Sequence, residues 1–249
     1  MKKLKILIAM LLTGTVMYAQ NEVNDFSYPE PKETEIDKKL TLWSTQYYVY
    51  QFNSGGNIPI VYSDGTPSGL YADTCDFCTA ALEGTAYVTD SNGNINVINF
   101  AKRDTIEFVD CRKCKKYKNT STAKGVDNWG KTLWVKSSGY GNGVLNYKLI
   151  PFRTIAVDKQ HIPYGTVIYI PKIRGLIIEL PDGEKVKHDG YFFAGDTGGA
   201  IKKNHIDIFT GVYTKNPFPD IIKSDEKQTF EAYIVSIQEI VSSLEKLHK

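Results

Sequence analysis

Between Phe152 and Gly211 the chain changes character every few residues, and that rhythm limits the folds open to it. FRTIAVD, TVIYIP, GLIIEL and KVKHDGYFFAGD are short β-rich runs, and turn signals such as HIPYG separate them. This spacing predicts a small closed β-barrel and not an alternating βαβ fold. The same style extends upstream. TLWSTQYYVYQF (41–52) reads as the first strand, followed by turns at SGGN and SDGTPSG. EGTAYVT and INVINFA flank the turn SNGN and predict a hairpin. LYADTCDFCTAAL (70–82) has room for a short helix, KTLWVKSS follows as another β-rich run, and TFEAYIVS reads as the last strand. Ile237, Ile240, Val241, Leu244 and Leu247 then recur at helical spacing and predict an amphipathic C-terminal helix packed on the barrel.

The two ends frame this domain. MKKLK followed by ILIAMLL and a small residue at Ala19 reads as a signal peptide over residues 1–19, which predicts a periplasmic or secreted protein. The apolar run is too short to span a membrane, and no cysteine precedes Cys75 to carry a lipid. Residues 20–40 are polar, with two prolines and six acids, and read as a flexible arm. Residues 41–249 then form one domain, with an insertion around 90–130. The formal charge of +2, less the three leader lysines Lys2, Lys3 and Lys5, is −1, a balance that gives no reason to expect nucleic acid as a partner.

The four cysteines form two Cys-x-x-Cys pairs, Cys75 with Cys78 and Cys111 with Cys114. Such pairs can hold structural zinc, but 32 residues separate Cys78 from Cys111, longer than a compact zinc ribbon uses. An oxidising compartment favours disulfides, with connectivity open. A redox role lacks the βαβ context it needs. In either main reading the segment 70–130 is stapled and catalysis lies elsewhere. The four histidines are scattered, so neither a catalytic metal nor a cofactor is expected.

The segment with chemical content is GDTGGAIKKNHIDIFTG, residues 195–211. It holds two acids, Asp196 and Asp207, at the ends of a glycine-bent stretch. Gly198 and Gly199 permit a sharp turn and close approach to a ligand. If 205–209 is a strand, His205 and Asp207 share one face while Ile206 and Ile208 take the other. Asp196 can also be read as a plain turn former.

FRTIAVDKQHIPYGTVIYIP and GYFFAGDTGGAIKKNHIDIFTG together resemble the catalytic region of membrane-bound lytic transglycosylase A, and equally the related three-aspartate (3D) domain of wall-active proteins. The matching residues are Asp158 in Ala-Val-Asp, the Ile-Pro-x-Gly-Thr turn at 162–166, Asp196-x-Gly-Gly-Ala-Ile-Lys and Asp207. The strong match covers residues 152–211. The resemblance implies a six-stranded double-psi β-barrel. It also implies cleavage of peptidoglycan between N-acetylmuramic acid and N-acetylglucosamine, with a 1,6-anhydromuramyl product. By position, Asp207 is the expected acid-base, with Asp196 and Asp158 shaping the site and tuning it. Thr197, Gly198, Gly199, Lys202 and His205 are the expected substrate contacts, together with Asp158. Two departures stand out: Lys159 and Lys203 occupy positions where the family commonly has proline and glycine.

The chemistry is consistent with that expectation. Cleaving a glycosidic bond needs a proton on the leaving oxygen, and hydrolases usually add a second carboxylate. When the sugar's own C6 hydroxyl attacks, one carboxyl can act as acid and then as base. Asp207 must then be protonated at the working pH, which a neighbouring acid or an apolar floor of Ile208 and Phe209 would promote. Several candidates also have structural readings. Asp158 suits a strand end, Lys202 a solvated surface, His205 a packing role and Asp189 a turn. Tyr47, Tyr48 and Trp134 suit either sugar stacking or the core. A glycoside hydrolase on a related barrel, or a non-catalytic expansin-like wall-binding module, would share this fold. The expected partner is the peptidoglycan glycan strand, and the expected state is a monomer.

Overall fold

The computed structural model describes residues 26–118 and 125–249. The leader and the start of the arm lie outside the described residues. The first strand, β1 (Ile36–Tyr47), is followed by a lobe inserted between two barrel strands. In that lobe β2 (Tyr50–Asn53), β5 (Thr85–Thr89), β6 (Ile95–Arg103) and β7 (Thr132–Lys136) make one sheet. β3 (Ile58–Val61) and β4 (Pro67–Ala72) make a separate hairpin, and the helices are α1 (Thr74–Glu83) and α2 (Val126–Trp129). The chain returns to the barrel with β8 (Thr154–Ala156) and β9 (Val167–Tyr169). It leaves again for a two-stranded hairpin, β10 (Ile177–Glu179) and β11 (Lys185–Lys187). It then completes the barrel with β12 (Tyr191–Asp196), β13 (His205–Phe209) and β14 (Phe230–Val235), and ends in α3 (Gln238–Leu247).

The six strands close in the order β1-β13-β8-β12-β9-β14, so the expected mainly β fold with a six-stranded barrel is observed. Its interior is filled by alternate residues of each strand. Leu40 and Leu42 of β1, Ile155 of β8, Ile168 of β9, Phe192 and Ala194 of β12, and Ile206 and Ile208 of β13 share one buried cluster. Burying each large aliphatic side chain contributes about 2 kcal/mol. The period of two leaves every second residue of β13 for the other face. α3 seals one side, with Ile240 and Leu244 buried against Val167, Tyr169, Tyr191 and Phe193, as its spacing predicts.

Three expectations need correction. TLWSTQYYVYQF is not one strand, because the chain crosses from barrel to lobe at Tyr48 and Val49, between β1 and β2. The insertion is larger than residues 90–130, since every element from β2 to β7 belongs to it and it has its own core around Phe77, Ile98 and Trp134. The described part of the arm is docked. Phe26 lies 4.0 Å from the buried Arg153 guanidinium, Tyr28 N–H donates to Asp189, and Tyr191 donates its hydroxyl to the Pro29 carbonyl. Phe26 and Tyr28 lie half-buried over a cation that is itself held by Asp189. β1 accordingly begins at Ile36, five residues before the expected Thr41.

The cysteines are disulfide-bonded, Cys75 to Cys114 and Cys78 to Cys111, which sets the zinc alternative aside. They tie α1 to the Cys111–Cys114 turn, where the sequence offers few apolar residues to hold a loop. Paired cysteines fit an oxidising compartment. Among the described residues, no helix is long and apolar enough to cross a membrane.

Candidate functional site

Two acids meet on the outer face of the barrel because of strand order. β8 has β12 as a parallel neighbour and β13 as an antiparallel one, and Ala156 is in register with Asp196 on one side and Asp207 on the other. Adjacent strands are about 4.8 Å apart, so the two acids flank a single methyl group at a backbone separation of roughly 10 Å. β1 lies on the far side of β13 in parallel register, pairing Trp43 with His205, Thr45 with Asp207 and Tyr47 with Phe209. Tyr47, Phe209, Ala156, Ile201, Val49 and Leu149 form a small apolar cluster on this face. The apolar floor under Asp207 therefore includes Phe209, whereas Ile208 points into the barrel core.

Each acid is held by its neighbours. The Thr45 hydroxyl donates to Asp207 Oδ1 at 2.7 Å, and Thr45 Oγ1 also lies 2.9 Å from His205 Nε2. The Tyr47 hydroxyl donates to Asp196 Oδ2 at 2.9 Å, and the Thr197 N–H donates to Oδ1 at 2.8 Å. Asp207 is raised to about 7, first by burial and then by the charge of Asp196, against the lowering effect of the Thr45 bond. Asp196 is raised to about 6 by burial, opposed by its bonds from Thr197 and Tyr47. Both are half-buried, so these shifts occur in groups that keep an edge to solvent. His205 is held down at about 4, chiefly by burial, with a bond to the Ala200 backbone acting the other way. It is therefore a neutral ring at neutral pH, stacked at 3.6 Å on Trp43.

The Thr45 hydroxyl has one proton and two partners. When Asp207 is ionised that proton goes to the carboxylate, and His205 Nε2–H must donate to Thr45. When Asp207 is protonated, the acid proton can face Thr45 or a substrate oxygen. The arrangement thus holds Asp207 in either state without leaving it unbonded.

The remaining sequence-derived candidates divide. Asp158 accepts from the N–H groups of Gln160 at 3.0 Å and Lys203 at 2.9 Å, and these bonds lower it. It pins the loop between β12 and β13, while the carboxylate that raises Asp207 is that of Asp196. Thr197 is exposed and donates its hydroxyl to the Val157 carbonyl at 3.1 Å. Lys202 is exposed, with its charge near Asp158. Gly198 and Gly199 do not take left-handed angles. The residue that does is Lys203, at φ 57°, the position where the family commonly has glycine. Gly198 matters for space, because a Cβ there would sit 2.8 Å from Ile201. Asp189 is no mere turn former. It pairs with Arg153 through two bonds of 2.6 and 2.8 Å, and both side chains are buried. Trp134 is core, and Tyr48 is half-buried at the lobe junction.

Sequence reasoning missed Thr45 and Trp43. Their signal is the alternation Trp43, Thr45, Tyr47 within β1, which means little until β1 is known to lie beside β13. Gly143 was missed too. A Cβ there would come within 2.3 Å of the Gly195 carbonyl and 3.0 Å of Asp196 Cβ, so only glycine lets that loop cover Asp196.

Comparison with known proteins bears on the fold that carries these residues. Residues 153–216 match the model of the 3D domain. Among solved structures, E. coli MltA with bound chitohexaose superposes with a TM-score of 0.50 at 16% identity, over 79% of this chain and 72% of that one. MltA from Neisseria gonorrhoeae gives 0.50 at 13% identity, over 80% and 74%. The chain is thus an MltA-like 3D-domain protein in fold. No curated protein sequence matches it.

Proposed function

We propose that this protein is a peptidoglycan lytic transglycosylase in which Asp207 is the general acid and base. The observation that carries the reading is a carboxyl in the 3D-domain segment, raised to about 7 chiefly by burial, hydrogen-bonded by Thr45 and placed beside a second acid. In the forward step, the proton of Asp207 moves to the oxygen leaving C1 of N-acetylmuramic acid, and the glycosidic bond breaks. The C6 hydroxyl of the same sugar bonds to C1, and its proton goes to the Asp207 carboxylate. The acid is regenerated and no water is consumed. Thr45 orients the carboxyl, with neutral His205 behind it. Burial does most to keep Asp207 protonated, and Asp196, oriented by Tyr47 and Thr197, adds to it. Asp158 fixes the loop from Thr197 to Lys203 against which the glycan would lie. The substrate places the protein in the cell envelope, in keeping with its disulfides.

The test is digestion of purified peptidoglycan by the protein without its leader and by Asp207→Asn, with mass spectrometry of the soluble products. Anhydromuramyl products from the wild type alone are expected. Reducing ends without anhydro sugars would instead make Asp196 the water-activating base of a hydrolase. Wall binding without products, unaltered in Asp207→Asn, would mark a non-catalytic module.

A further inference from the structure

Glu83 is a carboxyl in an unfavourable place. It is the last residue of α1, where the helix dipole opposes a negative charge and the last turn has no basic residue. It is half-buried, and its one hydrogen bond among the described residues comes from Tyr48 N–H, at 3.1 Å to Oε2. Tyr48 follows Tyr47, whose hydroxyl holds Asp196, so the inserted lobe is fastened to the barrel at the site itself. The next residue, Gly84, has φ 87° and turns the chain directly into β5, which fixes the end of α1. The titratable groups facing Glu83 are Asp207 from β13, Lys116 from the disulfide-bonded segment, and Tyr47 and Tyr48 from the junction. Glutamine would accept the Tyr48 bond as well without burying a charge, so the fold alone gives no reason for an acid here.

We propose that Glu83 is a further carboxyl of the same site, carried by the disulfide-stapled lobe, and that in its neutral form it donates a hydrogen bond to a sugar oxygen of the bound glycan. The inference rests on the glycan reading of Asp207. Tyr48 N–H occupies one carboxyl oxygen, and the other is left for the ligand. Burial first, and then the charge of Asp207, raise Glu83 to about 8 against the lowering effects of the Tyr48 bond and Lys116, so the donor form persists through neutral pH. Ionisation above that point removes the donor and adds a negative charge beside Asp207. The role is in binding and positioning; Asp207 does the proton transfer.

The experiment measures chitohexaose binding by calorimetry, and peptidoglycan kinetics, for wild type, Glu83→Gln and Glu83→Ala across about pH 7.5 to 9.5. Asp207 finishes its own titration in the lower part of that window, so the difference between wild type and Glu83→Gln is what reports Glu83. Wild-type affinity should fall roughly tenfold as pH rises. Glu83→Ala should bind roughly tenfold more weakly at the lower pH, with the loss in KM more than in kcat. Glu83→Gln should lose the pH-dependent fall. Wild-type affinity in Glu83→Ala, or an unaltered fall in Glu83→Gln, would overturn the role. If wild type releases no muropeptides, the transglycosylase reading fails, and calorimetry still decides Glu83. If wild type is active and the Glu83 variants share its KM and its alkaline limb, Glu83 fails and the reading of Asp207 stands.

Discussion

Replacing Asp207 by Asn should abolish wall cleavage and at the same time stabilise the protein, but only above the pH at which this carboxyl ionises in the unfolded wild-type chain. The unfolded chain releases this proton near 3.8 and the folded chain near 7. Between those values the native state binds more protons than the unfolded state, so wild-type stability falls as pH rises, and the loss is complete above about pH 7. Three pKa units correspond to about 4 kcal/mol, and the edge that Asp207 keeps to solvent reduces this to about 2–4 kcal/mol. Asn removes the charge, keeps the volume and still accepts from Thr45. Asp207→Asn should therefore melt about 5–15 °C above wild type near pH 8, taking 2–4 °C per kcal/mol for a chain of this size. The difference should shrink steadily on acidification and vanish below about pH 4. Urea or thermal melts of both proteins at four pH values provide the assay. An Asp207→Asn protein no more stable than wild type at pH 8, or an advantage equal at every pH, would refute the claim that burial and Asp196 hold this carboxyl protonated.

Other substitutions test the supports of the site. Asp189→Ala removes the paired carboxylate from buried Arg153 and should cost about 3–5 kcal/mol by denaturant melts. Reduction of the disulfides, which span 39 and 33 residues, should destabilise the lobe by about 3–4 kcal/mol. The bridges are nested and their contributions do not add. Limited proteolysis between Cys75 and Cys114 should then become fast. At Lys203, with φ 57°, the order of stability should be Gly, then Lys, then Val. The spread from Gly to Val should be about 1–2 kcal/mol in melting experiments, since a β-branched residue tolerates that backbone angle least.

What the sequence made legible was whatever depends on neighbours along the chain. The alternation in His205–Phe209 correctly put Ile206 and Ile208 on the face opposite Asp207, though it could not say that Ile208 turns into the barrel core and so is no floor under that acid. The spacing of Ile240 and Leu244 correctly put α3 against the barrel. Pairings between distant segments were not legible. Glycine pairs suggest backbone freedom, yet the left-handed angle in the site loop falls on Lys203, because Asp158 captures its N–H from 45 residues away. HDGY looks like a turn, yet Asp189 is consumed by Arg153, which nothing local marks as buried. The strand expected to begin at Thr41 starts earlier because its partner β14 reaches as far as Ile36. The cysteine pairs left zinc and disulfide open, since the choice depends on which thiols meet in space.

The same reasoning explains why the acids occur where they do. In a barrel of this strand order, β13 lies between β1 and β8, so any residue on the outer face of β13 has one near neighbour from each. Here the neighbour from β8 is Ala156, which leaves room between the acids, and the neighbour from β1 is Thr45, which can donate or accept. A larger residue at 156 would fill the gap between Asp196 and Asp207. An aliphatic residue at 45 would leave Asp207 buried without its donor and raise it further. Activity of Thr45→Val should therefore persist to higher pH than wild type while its maximum falls, because the carboxyl stays protonated longer but is less well aimed. An alkaline limb that stays in place, or moves to lower pH, in a folded Thr45→Val protein would show that Thr45 does not set the protonation of Asp207.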